Sequence, residues 1–483
     1  MKKIVIVGGG IAGLAAAYYI HKKAEPPFKI TLLEQADYWG GKLITERVPF
    51  DGGQFVIEGG PDTFVVTKPW AFRLCKELGI AGRLKGTNPE TKKTYILKNN
   101  RLHELPGGLT MMIPTEFGPM IRTGLLSWPA KARMGLDFLL PPAQVNGDET
   151  LGAFVTRRLG RPAYENLIEP LMSGIYAGDG DRLSLQSTFP YLRDLELEHG
   201  GLVKGALALR RERLRKVGAN GNDSSPPPGS RSIFLTPLSG LAEIVEALVH
   251  DLVTRGADMQ LQTAVQDVNQ IAERYSVLLA NGVSIPADGV ILATPSFITA
   301  DLIAGFAPDL ASELRPIEYV STATVTLAYR ESDLPRPLDG YGYVIPRREG
   351  RKALACTWTS TKFPHRAPDG YALIRVFIGR AGQEDEIRWE DADLLTIALE
   401  ELRLTLGITA APLLKRIYRW EKALPQYHLG HPERLARIES GLAAYPGLAL
   451  AGNAYQGIGI PDCIHSGELA AERVISTLRD KTF

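Results

Sequence analysis

The chain opens on a short uninterrupted apolar run, Lys3 to Val7, then three glycines, then a stretch from Ile11 to Lys23 in which apolar and small residues recur at helical spacing. A second apolar run, Lys29 to Leu33, follows at once. Run, glycine turn, helix and run make the βαβ unit of a parallel sheet covered by helices, so the pattern predicts a doubly wound α/β opening. After Glu34 the sequence breaks into Gly-rich turns (Gly40-Gly41, Gly52-Gly53, Gly59-Gly60) with alternating segments between them, which predicts hairpins beside a ligand. From Leu109 to Arg193 the period becomes helical and predicts a helical insertion. Gly218 to Arg231 is polar and rich in Gly, Ser and Pro, the composition of a mobile loop or linker.

Beyond that stretch, Leu241 to Val253 predicts an amphipathic helix, and three β-like runs (Met259 to Leu261, Tyr275 to Leu279, Gly289 to Ala293) resume the first unit. Alternating runs at Thr324 to Tyr329, Ala353 to Trp358 and Ala372 to Ile378, with a charged helix from Asp391 to Leu406, predict a second, sheet-bearing domain. A strand from Leu448 to Gly452, a loop from Asn453 to Asp462 and a helix from Cys463 to Leu478 return to the start. The boundaries drawn are 1–82, 230–296 and 440–483 for a cofactor unit, 83–108, 194–229 and 297–439 for the second domain, and 109–193 for a helical lobe.

Composition narrows the partners. With 483 residues and 45% hydrophobic content there is material for two or three cores. Lys and Arg total 55 against 54 acidic residues, so there is no broad positive field for nucleic acid or an anionic membrane. Cys75, Cys356 and Cys463 stand far apart without a CxxC pair, which argues against zinc ribbons and disulfide frameworks and fits a reducing cytoplasm. Met1 to Ile20 imitates a secretion signal, but Gly8 to Gly10 interrupt it. His428 and His431 are three apart, yet Pro432 follows and no Cys or carboxylate stands at a matching spacing, so no metal site is expected. Methionines Met111 and Met112 suit a core or pocket wall, and membrane contact is expected to be peripheral at most.

The chemistry begins at Gly8-Gly9-Gly10-Ile11-Ala12-Gly13. This is GxGxxG after a strand and at the mouth of a helix, with Glu34 ending the next strand, 21 residues beyond Gly13. Its glycines permit a tight turn, approach of a phosphate and close helix–strand packing, while the acid accepts hydrogen bonds from ribose hydroxyls. NAD and FAD both satisfy the motif. The extra turns Gly40-Gly41-Lys42 and Glu58-Gly59-Gly60-Pro61, with Gly457-Ile458-Gly459-Ile460-Pro461 near the end, suit a cofactor that also presents an isoalloxazine ring.

Together with Ile291 to Pro295, these segments resemble the amine oxidase, phytoene desaturase and protoporphyrinogen oxidase superfamily of flavoenzymes. Glu58 to Phe64, Glu169 to Asp179, Pro425 to His428 and Gly457 to Cys463 are similar to the Gram-positive-type porphyrinogen oxidases. The resemblance implies an α/β fold with a Rossmann-type FAD-binding domain, a discontinuous α+β substrate domain and a helical lobe. It places FAD contacts at Gly8, Gly9, Gly10, Ile11, Ala12, Gly13, Glu34, Gln35, Lys42, Gly60, Pro61, Asp62, Thr63, Val265, Trp420, Ile458, Gly459 and Ile460. It places substrate contacts at Lys68, on a propionate, at Gly174 and Ile175 over the reacting face, and at Tyr176 and Tyr427 flanking the macrocycle. The implied reaction is oxidation of coproporphyrinogen III to coproporphyrin III by oxygen, with bridge hydrogen leaving as hydride to the flavin and no further catalytic side chain assigned. Protoporphyrinogen IX is the competing substrate, an amine oxidase or carotenoid desaturase relative the more distant alternative, and a ferrochelatase a possible transient partner.

Overall fold

The computed structural model describes residues 1–25, 27–110, 113–143, 147–219 and 232–480. The apolar runs at the start form β1 (Lys3–Val7) and β2 (Lys29–Leu33), joined by helix α1 (Ile11–Lys23). They sit inside a five-stranded parallel sheet in the order Asp258–Gln260, β2, β1, Gly289–Leu292, Leu448–Leu450. Strands buried on both faces read as continuous apolar runs, and Ile4 to Ile6 and Val290 to Leu292 are fully buried.

One face of this sheet is covered by α1, the Ala242–Thr254 helix and the last helix, Ile460–Asp480. Gly467 lets α1 and the last helix touch, for a Cβ there would lie 2.3 Å from the Ala12 carbonyl oxygen. The other face departs from a doubly wound plan. It carries an antiparallel meander (Val265–Ile271, Arg274–Leu279, Ser284–Ala287) and the helices Ser296–Ile303 and Pro308–Leu314, which share a core with Val5, Val7 and Leu33. Tyr275 to Leu279 therefore belongs to the meander and not to the parallel sheet, and residues 297–317, expected in the second domain, pack on the first. Polar positions in Val265–Ile271 (Gln266, Asp267, Asn269, Gln270) hid that strand from the hydrophobic pattern.

A seven-stranded sheet runs in the order Leu414–Pro425, Tyr319–Arg330, Tyr371–Ile378, Ala353–Trp358, Gly340–Val344, Lys93–Lys98, Arg101–Glu104. Its pairs are antiparallel except that of Gly340–Val344 with Lys93–Lys98. The Asp391–Leu406 helix packs on it through Leu394, Ala398 and Leu402.

The helical lobe does not end at Arg193. Pro190–His199 and Leu202–Ala219 continue it, and Leu195, Leu202, Val203 and Ala206 share one core with Phe154, Leu167 and Ile168. The sequence hides this continuity because charge is buried inside the lobe. Arg158, Asp137 and Glu196 are fully enclosed, with Arg158 Nε donating to Asp137 Oδ1 at 2.6 Å. Met111, Met112 and nearly all of the Gly218 to Arg231 stretch lie outside the described residues.

Candidate functional site

The first glycine turn is built by collisions avoided. Gly8 has φ +106°, and a Cβ on it would stand 2.7 Å from the Ala293 carbonyl oxygen; a Cβ on Gly13 would stand 2.0 Å from the Gly8 carbonyl oxygen. Gly10 is different, with open space where its Cβ would be. The first intrahelical bond of α1 runs from Leu14 N to Gly10 O at 3.0 Å, so the N–H groups of Ile11, Ala12 and Gly13 precede it. Open space over a helix N-terminus whose N–H groups face outward is a cradle for a phosphate.

Glu34 ends β2 with both oxygens engaged, Oε2 by Gly9 N–H at 2.7 Å and Oε1 by Ala36 N–H at 2.9 Å. These bonds fix the carboxylate while leaving lone pairs for ribose hydroxyls. Gln35 beside it is exposed. Thr263 N–H donates to the Glu34 carbonyl at 2.8 Å, which brings Val265, the first residue of its strand, to the same end of the sheet.

The next glycines lie against the first turn. Gly40 N–H donates to the Gly9 carbonyl at 2.9 Å, and a Cβ on Gly41 would come within 3.2 Å of Gly10 Cα. A Cβ on Gly60 would stand 2.0 Å from the Lys42 carbonyl oxygen. Two side chains from the seven-stranded sheet hold this second turn: Trp420 Nε1 donates to Gly59 O at 2.8 Å, and buried Arg375 donates to Gly59 O at 3.2 Å and also to Gly60 O. Pro61 is exposed and Thr63 half-buried. Asp62 pairs with Lys362 at 2.9 Å; burial pushes its carboxyl up, but Lys362 and Arg375 outweigh that and hold its pKa below the usual value. The Lys42 ammonium donates to the Ala423 carbonyl, and burial lowers its pKa to about 8.

The C-terminal turn departs from expectation. The last helix starts at Ile460, inside the stretch expected to be loop, so Ile460, Pro461 and Asp462 form its first turn. Gly457, with φ +109°, precedes it, and a Cβ there would strike Asp462 at 2.5 Å. Ile458 packs against the core of the helical lobe, and Gly459 sits over Asp462, whose Oδ2 would be 3.0 Å from a Cβ. Lys68, expected to face a substrate carboxylate, is held by Asp462 at 2.7 and 2.8 Å.

Of the residues expected over the reacting face, Gly174 and Ile175 are exposed on the Glu169–Tyr176 helix, Ile175 by 49%. They are not core residues. Tyr176 and Tyr427, expected to flank a macrocycle, are buried in the core. Tyr427 is 0% exposed, its hydroxyl bonded to Asn453 O and Gly457 N, and Tyr176 packs edge-on to Phe189 and Tyr427. Sequence reasoning missed Arg375 and Asp462. A lone arginine in the apolar strand Tyr371–Ile378 was the available signal for the first. Among the described residues no group of three or more His, Cys, Asp and Glu could hold a metal, and no helix is long and apolar enough to cross a membrane.

Three N-terminal glycine turns thus pack together beside a phosphate cradle, and the family model for flavin containing amine oxidoreductases matches residues 11–475. The chain belongs to that family. As a member it is a flavin-dependent oxidoreductase, and its cofactor is FAD. It is 38% identical over 481 residues to the coproporphyrinogen III oxidase of Bacillus subtilis (strain 168), covering 99% of this chain and 98% of that one. It is 35% identical to the enzyme of the same name from Staphylococcus aureus (strain NCTC 8325 / PS 47), covering 99% and 100%. A crystal structure from Exiguobacterium sp. 255-15, provisionally named protoporphyrinogen oxidase, superposes with a TM-score of 0.84 at 34% identity, covering 98% of this chain and 99% of that one.

Proposed function

We propose that this family member oxidises coproporphyrinogen III to coproporphyrin III, with molecular oxygen as oxidant and hydrogen peroxide as co-product. The observation that carries the reading is end-to-end likeness to two enzymes named for that reaction, of whose lengths 98% and 100% are covered. When bound, FAD supplies a two-electron acceptor for hydrogen leaving a methylene bridge of the macrocycle. The protein's part is to bind, orient and exclude water.

Gly10 and the N–H groups of Ile11 to Gly13 take the pyrophosphate, Glu34 the ribose, with Gln35 and Val265 beside it. The Gly60 to Thr63 turn, braced by Trp420 and Arg375, and the Ile458 to Ile460 turn border the isoalloxazine. The Lys42 carbonyl packs against the Gly60 turn, and its buried ammonium, held by the Ala423 carbonyl with a pKa lowered to about 8, is the cation beside that turn. Exposed Gly174 and Ile175 offer a small residue and an aliphatic wall to a flat ring. The three parts drawn from the sequence are retained as cofactor domain, substrate domain and helical lobe, with 194–219 moved to the lobe and 297–317 to the cofactor domain. We place the enzyme in the cytoplasm, where three free buried cysteines stay reduced, with a ferrochelatase as the transient acceptor of its product.

Protoporphyrinogen IX is the second reading, supported by the name attached to the Exiguobacterium structure. The test is the rise of porphyrin fluorescence with each porphyrinogen, compared as kcat/KM. A rate no higher than the autoxidation blank on both overturns the function, and preference for protoporphyrinogen IX moves it to the second reading. Lys68 meets a propionate only by sharing its ammonium with Asp462. Lys68→Ala is expected to lower kcat/KM more on the tetracarboxylate than on the dicarboxylate, and unchanged constants on both remove it from the site.

A further inference from the structure

Behind the C-terminal turn, Tyr427 and His431 are stacked with ring centroids 4.4 Å apart and planes 14° apart, and both are buried. The Tyr427 hydroxyl donates to the Asn453 carbonyl at 2.5 Å and accepts the Gly457 N–H at 2.9 Å. His431 Nε2 lies 3.1 Å from the Tyr455 carbonyl oxygen. A carbonyl only accepts, so that nitrogen carries the hydrogen. Residues 453, 455 and 457, alternate positions of one turn, are therefore each held by one of two stacked rings.

The base of this arrangement is itself fixed. Tyr427 O accepts the Ser184 N–H at 2.8 Å, and Gln426 Nε2 donates to the Tyr176 carbonyl at 3.0 Å, so the helical lobe grips the segment from behind. A buried tyrosine needs one partner for its hydroxyl. Tyr427 spends both its donor and an acceptor on the same five-residue turn, which makes it a cross-link and not merely a satisfied core residue. The turn needs one: Gly457 has φ +109° and Asp462 closes over it, as described above.

We propose that Tyr427 and His431 are positioning residues that hold the 453–457 turn in the shape that receives FAD, so that the turn is ordered before the cofactor arrives. This rests on the reading of Ile458 to Ile460 as a flavin contact. The pair touches no reacting atom; it acts through the turn.

The experiment measures FAD release from the holoenzyme by recovery of free-flavin fluorescence on dilution, with the visible absorption band of the bound flavin recorded beside it. Tyr427→Phe keeps the ring stack and removes both hydroxyl bonds; His431→Phe keeps the stack and removes the bond to Tyr455. Tyr427→Phe is expected to raise the FAD dissociation constant about tenfold, the scale of two lost hydrogen bonds, and His431→Phe about threefold. Both should keep a native circular dichroism spectrum. A merely structural role would lower the thermal midpoint and leave the FAD constant alone. Constants within twofold of wild type for folded Tyr427→Phe overturn the proposal, and if that variant does not fold, the same criterion on His431→Phe decides it. Wild-type protein that retains no FAD overturns the site reading itself, and this inference with it.

Discussion

Single atoms set the limits of this site. A methyl group on Gly60 would sit 2.0 Å from the Lys42 carbonyl oxygen, where neither turn can yield without losing the grip of Arg375 and Trp420. Gly60→Ala is expected to purify with less than about a tenth of the wild-type flavin absorbance per protein, a loss of over ~1.4 kcal/mol in binding. His431 gives a pH signature. Burial lowers its pKa from 6.5 to about 4, so between those values the unfolded chain binds more protons than the native one, and stability falls as pH falls. Each pH unit crossed is worth about 1.4 kcal/mol for one such group. Denaturant melts of wild type and His431→Phe at pH 7 and pH 4.5 should show a smaller acid loss in the variant; parallel losses would refute the assignment. Gly8 and Gly13 of the dinucleotide turn were legible because backbone geometry at those two positions excludes a side chain. The burial of Tyr427 and its bonds to Asn453 and Gly457 were not legible, since nothing in a sequence distinguishes a ring that lines a cavity from one that packs under a loop.

At the scale of elements, two contacts carry unusual weight. A Cβ on Gly467 would come within 2.3 Å of the Ala12 carbonyl, so Gly467→Ala must push the last helix off α1. Overpacking of this kind costs about 1–3 kcal/mol, readable as a lower denaturant midpoint. In the helical lobe, Arg158→Ala leaves the buried Asp137 carboxylate without its cation, while Arg157 and Arg193 still hold Glu196 at 2.6 Å. The expected loss is about 3–5 kcal/mol, with partial recovery in Arg158→Ala/Asp137→Ala. Elements with clean periods, such as β1, α1, Ala353–Trp358 and Asp391–Leu406, were legible to within a residue. Those that bury charge or expose polar faces, such as Pro190–His199 and Val265–Ile271, were not, because apolar spacing is the only signal a single sequence offers for them.

The whole molecule is discontinuous, and its central sheet is assembled from pieces hundreds of positions apart. The return of the chain was legible from its second set of glycines; which helices cover which face was not, since that follows from long-range packing. β1 lies between β2 and Gly289–Leu292, and the edge strand Leu448–Leu450 closes the row. In a protein made at about 5–20 residues per second, roughly 20–90 s separate the first strand from the edge strand that completes the row. Nascent chains stalled short of position 448 should therefore remain colourless on the ribosome, and full-length ones should turn yellow only after release. Yellow colour would then report a completed sheet and not merely a translated first glycine turn.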